Sequence, residues 1–197
     1  MWVFSIGNAS EIISIFKGLT IGLESANFSG GCIMEAKTIT FNRFPLNVND
    51  TRMMFEQIKK DPFYVAALSV AVFCHYKQNR DETFNMIDVL KGPQPLSNFD
   101  KQFLRDRLGG KEYKPFSFFE GAYPENEYVP TQPYRITVEK GMYQSSDPNY
   151  VTMYLRSNGA DAPRSLILRA KGGVDWYLTE ITYLGDIKVP VSQDPWA

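Results

Sequence analysis

The chain has 197 residues, 44% hydrophobic and 22% charged, with a formal net charge of −1. Such a composition belongs to a globular protein with room for one large domain or two small ones. It excludes the concentrated basic surplus of a nucleic-acid binder. Fourteen Phe and eleven Tyr supply core area and, where exposed, contact surface.

The opening stretch, "MWVFSIGNASEIISIFKGL", is apolar. It has no basic region ahead of its apolar run and no small-x-small cleavage site, so it does not read as a secretory signal. Ser10 is placed to cap a short helix through Phe16, and Gly30-Gly31 interrupts whatever follows. Without a secretion signal, the N-x-S/T sequons at Asn8, Asn27 and Asn49 carry no weight. Cys32 and Cys74 are the only cysteines and His75 the only histidine, too few for a usual zinc set. One disulfide is allowed by count, but the apolar run around Cys74 favours a buried free thiol and a reducing, cytoplasmic setting. Residues 1–40 are set apart as a segment of uncertain role. At its end, "CIMEAKTITFNRFPLNV" reads as extended: Ile39 and Phe41 alternate with Thr38, Thr40 and Asn42.

A helical group over residues 49–110 follows. Asn49 or Asp50 is expected to cap "TRMMFEQIKK". Asp61 and Pro62 then make a strong start, since the carboxylate accepts orphan amides and Pro gives up a donor that had no partner. The run Phe63 to Cys74 is too short to span a bilayer. It is apolar on all sides, so it should be the most buried helix. "RDETFNMIDVL" ends at Gly92-Pro93, and "SNFDKQFLRDRL" runs from Ser97 to Gly109-Gly110. Cys74 and His75 would point about 100° apart on a helix, so they do not form a dyad. "LGGKEY" lacks the spacing of a phosphate loop and reads as a helix stop. Arg105, Asp106 and Arg107 alternate in sign, as on a solvated helix face.

Residues 113–133 form a strap. Pro124, Pro130 and Pro133 hold it extended or turned. It is read as an ordered connector, with two alternatives: Tyr123, Asn126 and Tyr128 line a pocket, or the strap is an edge that meets another chain. From Tyr134 the period falls to two, in "YRITVEK", "YVTMYLRS", "RSLILRAK" and "WYLTEITYL". The expected fold is α+β: about four helices packed on an antiparallel meander (sheet 134–190), in a single domain over 41–197. Val151, Met153 and Leu155 should face the helices. Tyr150, Thr152, Tyr154 and Arg156 would then face outward, with Tyr154 and Arg156 as candidate partner contacts. In "SNGADAPR", Asn158-Gly159 permits positive φ and a hairpin turn, and Asp161 suits an Asx turn. Arg156 and Arg164 flank it. An Asp–Arg pair would lock the turn, or Asp161 and Arg164 would frame an anion-binding mouth. No two of Glu120, Glu125, Glu127 and Asp161 can be placed at a working separation. No catalytic residue, metal or cofactor is assigned.

The blocks "LKGPQPLSNFDKQFLRDRL", "FFEGAYPENEYVPTQPY", "RSNGADAPRSLILRAK" and the ending "DPWA" resemble a family of uncharacterised bacterial domains of gut-type Gram-positive bacteria, a domain of unknown function. The similarity runs from about Phe44 to Ala197. It implies bacterial origin and a recurring domain, and it brings no activity or functional residues. The expected function is a non-catalytic binding or protein-interaction module with a protein or small-molecule partner. No nucleic acid and no membrane span are expected. Two alternatives stand: an enzyme of unrecognised type with a polar cleft near Asp161 and Arg164, and a structural domain that assembles as a homo-oligomer.

Overall fold

The change of period near Tyr134 divides the architecture. A computed structural model describes residues 14–15, 19–20, 33–141 and 144–196. Among the described residues four α-helices lie ahead of that point: α1 (Val48–Ile58), α2 (Pro62–Phe73), α3 (Arg80–Lys91) and α4 (Asn98–Leu108). Asp61 caps α2 by accepting from the Phe63 amide at 2.9 Å. Asn79 caps α3 and Gly92 closes it. Ser97 and Asp100 form a capping box on α4, and Gly109 ends it. The start of α1 differs from expectation. Asn47 is the cap, accepting from the Asp50 amide at 2.9 Å. Asp50 is engaged elsewhere: its carboxylate takes the Arg43 guanidinium and the Leu46 amide. A tertiary partner has claimed the residue that local propensity would make a cap.

The sheet is antiparallel throughout, and its spatial order follows the chain. Two short strands, β1 (Ser14–Ile15) and β2 (Leu19–Thr20), precede β3 (Ile33–Phe41). Then come β4 (Tyr134–Gly141), β5 (Tyr150–Leu155), β6 (Arg164–Lys171) and β7 (Asp175–Ile181). β3 pairs along the whole of β4, from Ile33 opposite Gly141 to Phe41 opposite Tyr134. The sheet therefore begins before residue 41, and the division there does not follow it. The helix expected from Ser10 through Phe16 is not supported where it can be checked, because Ser14–Ile15 is a strand. The rest of that stretch, with Asn8, Asn27, Gly30-Gly31 and Cys32, lies outside the described residues.

α2 is the centre of the packing. Ten of its side chains, Phe63 and Val65 through Phe73, are buried. It touches β3 to β7 on one side and α1 and α3 on the other. Alternation sets the sheet's two rows as expected: Val151, Met153 and Leu155 are buried, Tyr150, Thr152 and Tyr154 half-buried, and Arg156 exposed. Cys74 is a buried free thiol, and burial pushes its pKa up. His75 lies in the turn after α2.

The strap is tied down through its first half. It contains two 3-10 turns, Lys114–Phe118 and Pro124–Asn126. The Glu120 amide donates to Arg135 O at 2.9 Å, and the Asn158 amide donates to Ser117 O at 2.9 Å. Phe118, Phe119 and Ala122 enter the core. No helix among the described residues is long and apolar enough to cross a membrane.

Candidate functional site

The residues singled out from the sequence fall in three places. In the strap, Tyr123 is exposed. Asn126 is spent on its own loop: its oxygen accepts from the Tyr123 amide at 2.8 Å, and its nitrogen donates to Gly121 O and Val129 O. Tyr128 is only 1% exposed. It stacks on Tyr113 with centroids 5.3 Å apart and donates its hydroxyl to Lys188 O at 2.9 Å. Burial, with smaller contributions from Tyr113 and Glu125, pushes its phenol up to about 12. Such a side chain supports the strap and does not line an open pocket.

On the outer row of the sheet, the ring of Tyr154 lies against Gly141. Arg156 Nε donates to the buried Glu139 at 2.6 Å. In the loop between β5 and β6, the expected Asp161–Arg lock does not form. Asp161, whose side chain is 91% exposed, pairs with Lys188 Nζ at 3.1 Å. Arg164 donates to Asp186 O at 2.6 Å. The reason is alternation: Arg164 begins β6 in the row of Leu166 and Leu168, while the loop carries Asp161 to the 188 segment. Gly159 is not at positive φ either. Its glycine is required by close approach, since a Cβ there would lie 2.0 Å from the Tyr128 hydroxyl. Tyr128 and Asp161 thus meet the same residue, Lys188, whereas Tyr154 and Arg156 sit apart. Glu120 pairs with Arg135 at 3.2 Å. Arg105 and Arg107 lie over the rings of Phe84 and Phe103. Among the described residues, no group of three His, Cys, Asp or Glu side chains could hold a metal.

Concave surface lies instead along β7, the last strand of the sheet. One cleft, of about 320 Å³, opens between the end of α3 and the β6–β7 hairpin, with Lys91, Gln94, Arg169, Lys171 and Tyr177 in its wall. A second, of about 240 Å³, lies between α4 and the far half of β7, with Phe99, Phe103 and Ile181 in its wall. Lys91 and Thr179 belong to both, so the two form one groove.

Local chemistry builds this groove. Gly92 closes α3 at φ 56°, and a Cβ there would stand 2.3 Å from Tyr177 Cδ1, so the helix end rests directly on that ring. Lys91 is buried and donates Nζ to Thr179 O at 3.0 Å. The Trp176 amide donates to Lys59 O at 2.7 Å. Helix ends thereby satisfy edge groups of β7 that would otherwise invite another strand. On α4, Leu104 and Leu108 are buried, while Phe99 is 79% exposed and Phe103 37%.

The sequence reading missed these groove residues. One signal was present: Phe99 and Phe103 are four apart, set off by about 100° from Leu104 and Leu108, so α4 carries a second apolar edge. Lys91, Arg169 and Lys171 had no local signal, because only the packing of α3 against β7 brings them together.

Residues 43–191, most of the chain, match the family described as Domain of unknown function (DUF6935), and the chain belongs to that family. No curated protein and no solved structure matches it. The groove lies within the matched segment, and β3 lies before it.

Proposed function

We propose that this member of the DUF6935 family is a non-catalytic binding module that receives a partner protein along the groove beside β7. Phe99 carries the reading. A phenylalanine 79% exposed, one turn from a second exposed ring and at the rim of a cleft, is costly to leave in water. Aromatic anchors beside pockets are where binding energy concentrates. The cations at the other end of the groove give it a charge that an acidic partner segment complements. The buried Cys74 thiol and the resemblance of the sequence blocks support placing the module in a bacterial cytoplasm.

A second reading keeps the outer row of the sheet, where Tyr154 and the exposed Arg156 stand on the face opposite α2. The enzyme reading near Asp161 and Arg164 has less to support it, since Asp161 projects into solvent and Arg164 is bound to a backbone carbonyl.

Peptides selected from a random display library against the folded protein test the proposal. Their binding is expected to shift the amides of Phe99, Phe103 and 179–182. A Phe99→Ser, Phe103→Ser variant should keep its melting temperature and lose about 2 kcal/mol of affinity. Undiminished binding by that variant, or shifts centred on Tyr154 and Arg156, rejects the groove. A concentration-dependent shift to a dimer that the same variant abolishes would instead make a second copy of this chain the partner.

A further inference from the structure

We infer that the cleft between the end of α3 and the β6–β7 hairpin is an oxyanion-binding site, in which Lys91, Arg169 and Lys171 take a carboxylate or phosphate group. The chain as a whole is balanced, with 21 Lys and Arg against 22 Asp and Glu. This cleft is not: three cations from two elements line it and no carboxylate does. Elsewhere some cations are paired with acids, as in Lys37–Asp61, Arg43–Asp50, Lys59–Asp175 and Arg156–Glu139. None of the three cleft cations forms an ion pair with a described carboxylate.

Each cation is held in a different way. Lys91 is 8% exposed, and its ammonium is fixed by the bond to Thr179 O. An ammonium has three donors, so two remain after that bond. Arg169 lies over the ring of Tyr150 on β5 at 5.2 Å, which restrains the guanidinium. Lys171 is exposed beside the hairpin turn. The acid opposite it in register, Asp175, is drawn away to Lys59 Nζ at 3.1 Å. Asp100 and Glu180 belong to the neighbouring cleft; Asp100 is engaged in the Ser97 cap, and it is also close enough to interact electrostatically with Lys91. The carbonyl end of α3 points toward this region and disfavours an anion. Lys91 in the last turn offsets that field, but that task alone needs neither Arg169 nor Lys171. Gln94 and Tyr177 add neutral donors to the wall.

The oxyanion can arrive on an acidic peptide or as a phosphate, and two titrations of the labelled full chain at constant ionic strength separate these sources. One uses inorganic phosphate and the other a blocked Glu-Glu dipeptide, each read by NMR at Arg169 Nε–Hε and at the amides of Lys91 and Lys171. Saturable shifts confined to these positions with either probe are expected. An Arg169→Gln, Lys171→Gln variant should weaken that probe by about tenfold. Both side chains are exposed, so the melt should not move; if the double variant fails to fold, Lys171→Gln alone is titrated. Failure of both probes to saturate, or an unchanged curve for the variant, overturns the inference. The Phe99→Ser, Phe103→Ser variant is expected to bind the probes normally, so this site and the partner-protein reading can fail independently.

Discussion

At the scale of single residues, Gly159 and Tyr128 show how tightly the strap is fitted. The Tyr128 hydroxyl reaches Lys188 O by passing where a side chain at 159 would be. Gly159→Ala should cost about 2 kcal/mol or more, as overpacking does. Tyr128→Phe should cost about 1 kcal/mol for its lost hydrogen bond. In the Tyr128→Phe background the alanine should cost less, since the nearest obstructing atom is gone. The rescue should be partial, because Ile187 Cγ2 and Tyr128 Cζ remain at 2.9 Å. Urea midpoints of the four proteins give the cycle, and strictly additive costs would contradict this packing. Asp50 supplies a pH signature. The Arg43 guanidinium, and after it the Leu46 amide, hold its carboxyl below the usual range although burial opposes them. A carboxyl depressed in the folded state adds stability that is fully present above its unfolded value, about 4, and lost as pH falls through the folded value. The melting-temperature gap between the native chain and Asp50→Asn should therefore be widest near neutral pH and close below about pH 4. A gap that stays constant down to pH 3 would show that Asp50 acts through something other than its charge.

At the scale of elements, the signals that could be read from the sequence were the local ones. Asp61-Pro62, Ser97 and the closing Gly92 each act within one helical turn, so sequence alone located α2, α3 and α4. The cap of α1 lies two or three residues ahead of the expected Asn49 or Asp50, and Arg43 recruits Asp50, a tertiary contact that no propensity encodes. The β4–β7 meander was legible from alternation, but β3's place in the sheet was not, since its partner strand lies beyond the whole helical group. α2 offers the sharpest test. Val70 and Phe73 are fully buried within it. An aspartate at either place would carry an unpaired charge into the packed centre. The cost should exceed about 4 kcal/mol, a large part of a net stability of about 5–15 kcal/mol. Loss of the cooperative melt by circular dichroism is expected for both variants, and a native-like melt for both would mean that this helix is not the centre of the core.

At the scale of the whole molecule, the groove could not be read from the sequence. Its cations come from α3 and β6 and become neighbours only when the sheet closes against the helices. The same scale exposes a conflict between sequence similarity and packing. The family match begins at residue 43, yet every residue of β4 has a partner in β3. β3 also delivers Ile39 and Phe41 to the core, at 1% and 2% exposure, and Lys37 to Asp61 at 2.8 Å. Burying two such side chains stabilises by about 3–6 kcal/mol together, comparable with the net stability of a whole domain. Removing β3 would also bare the hydrogen-bonding groups of β4, beside a core row holding Ile136 and Val138. A chain of residues 42–197 is therefore expected to be marginally folded and to aggregate more as its concentration rises, although it contains the entire matched segment. Urea unfolding followed by circular dichroism measures the loss, and sedimentation measures the association. The full chain carrying Ile39→Ala and Phe41→Ala separates the two causes. It keeps the β3–β4 ladder, so it should lose stability with little gain in association. If residues 42–197 unfold at the same urea midpoint as the full chain, β3 is an accessory strand and the folding unit begins where the family match does.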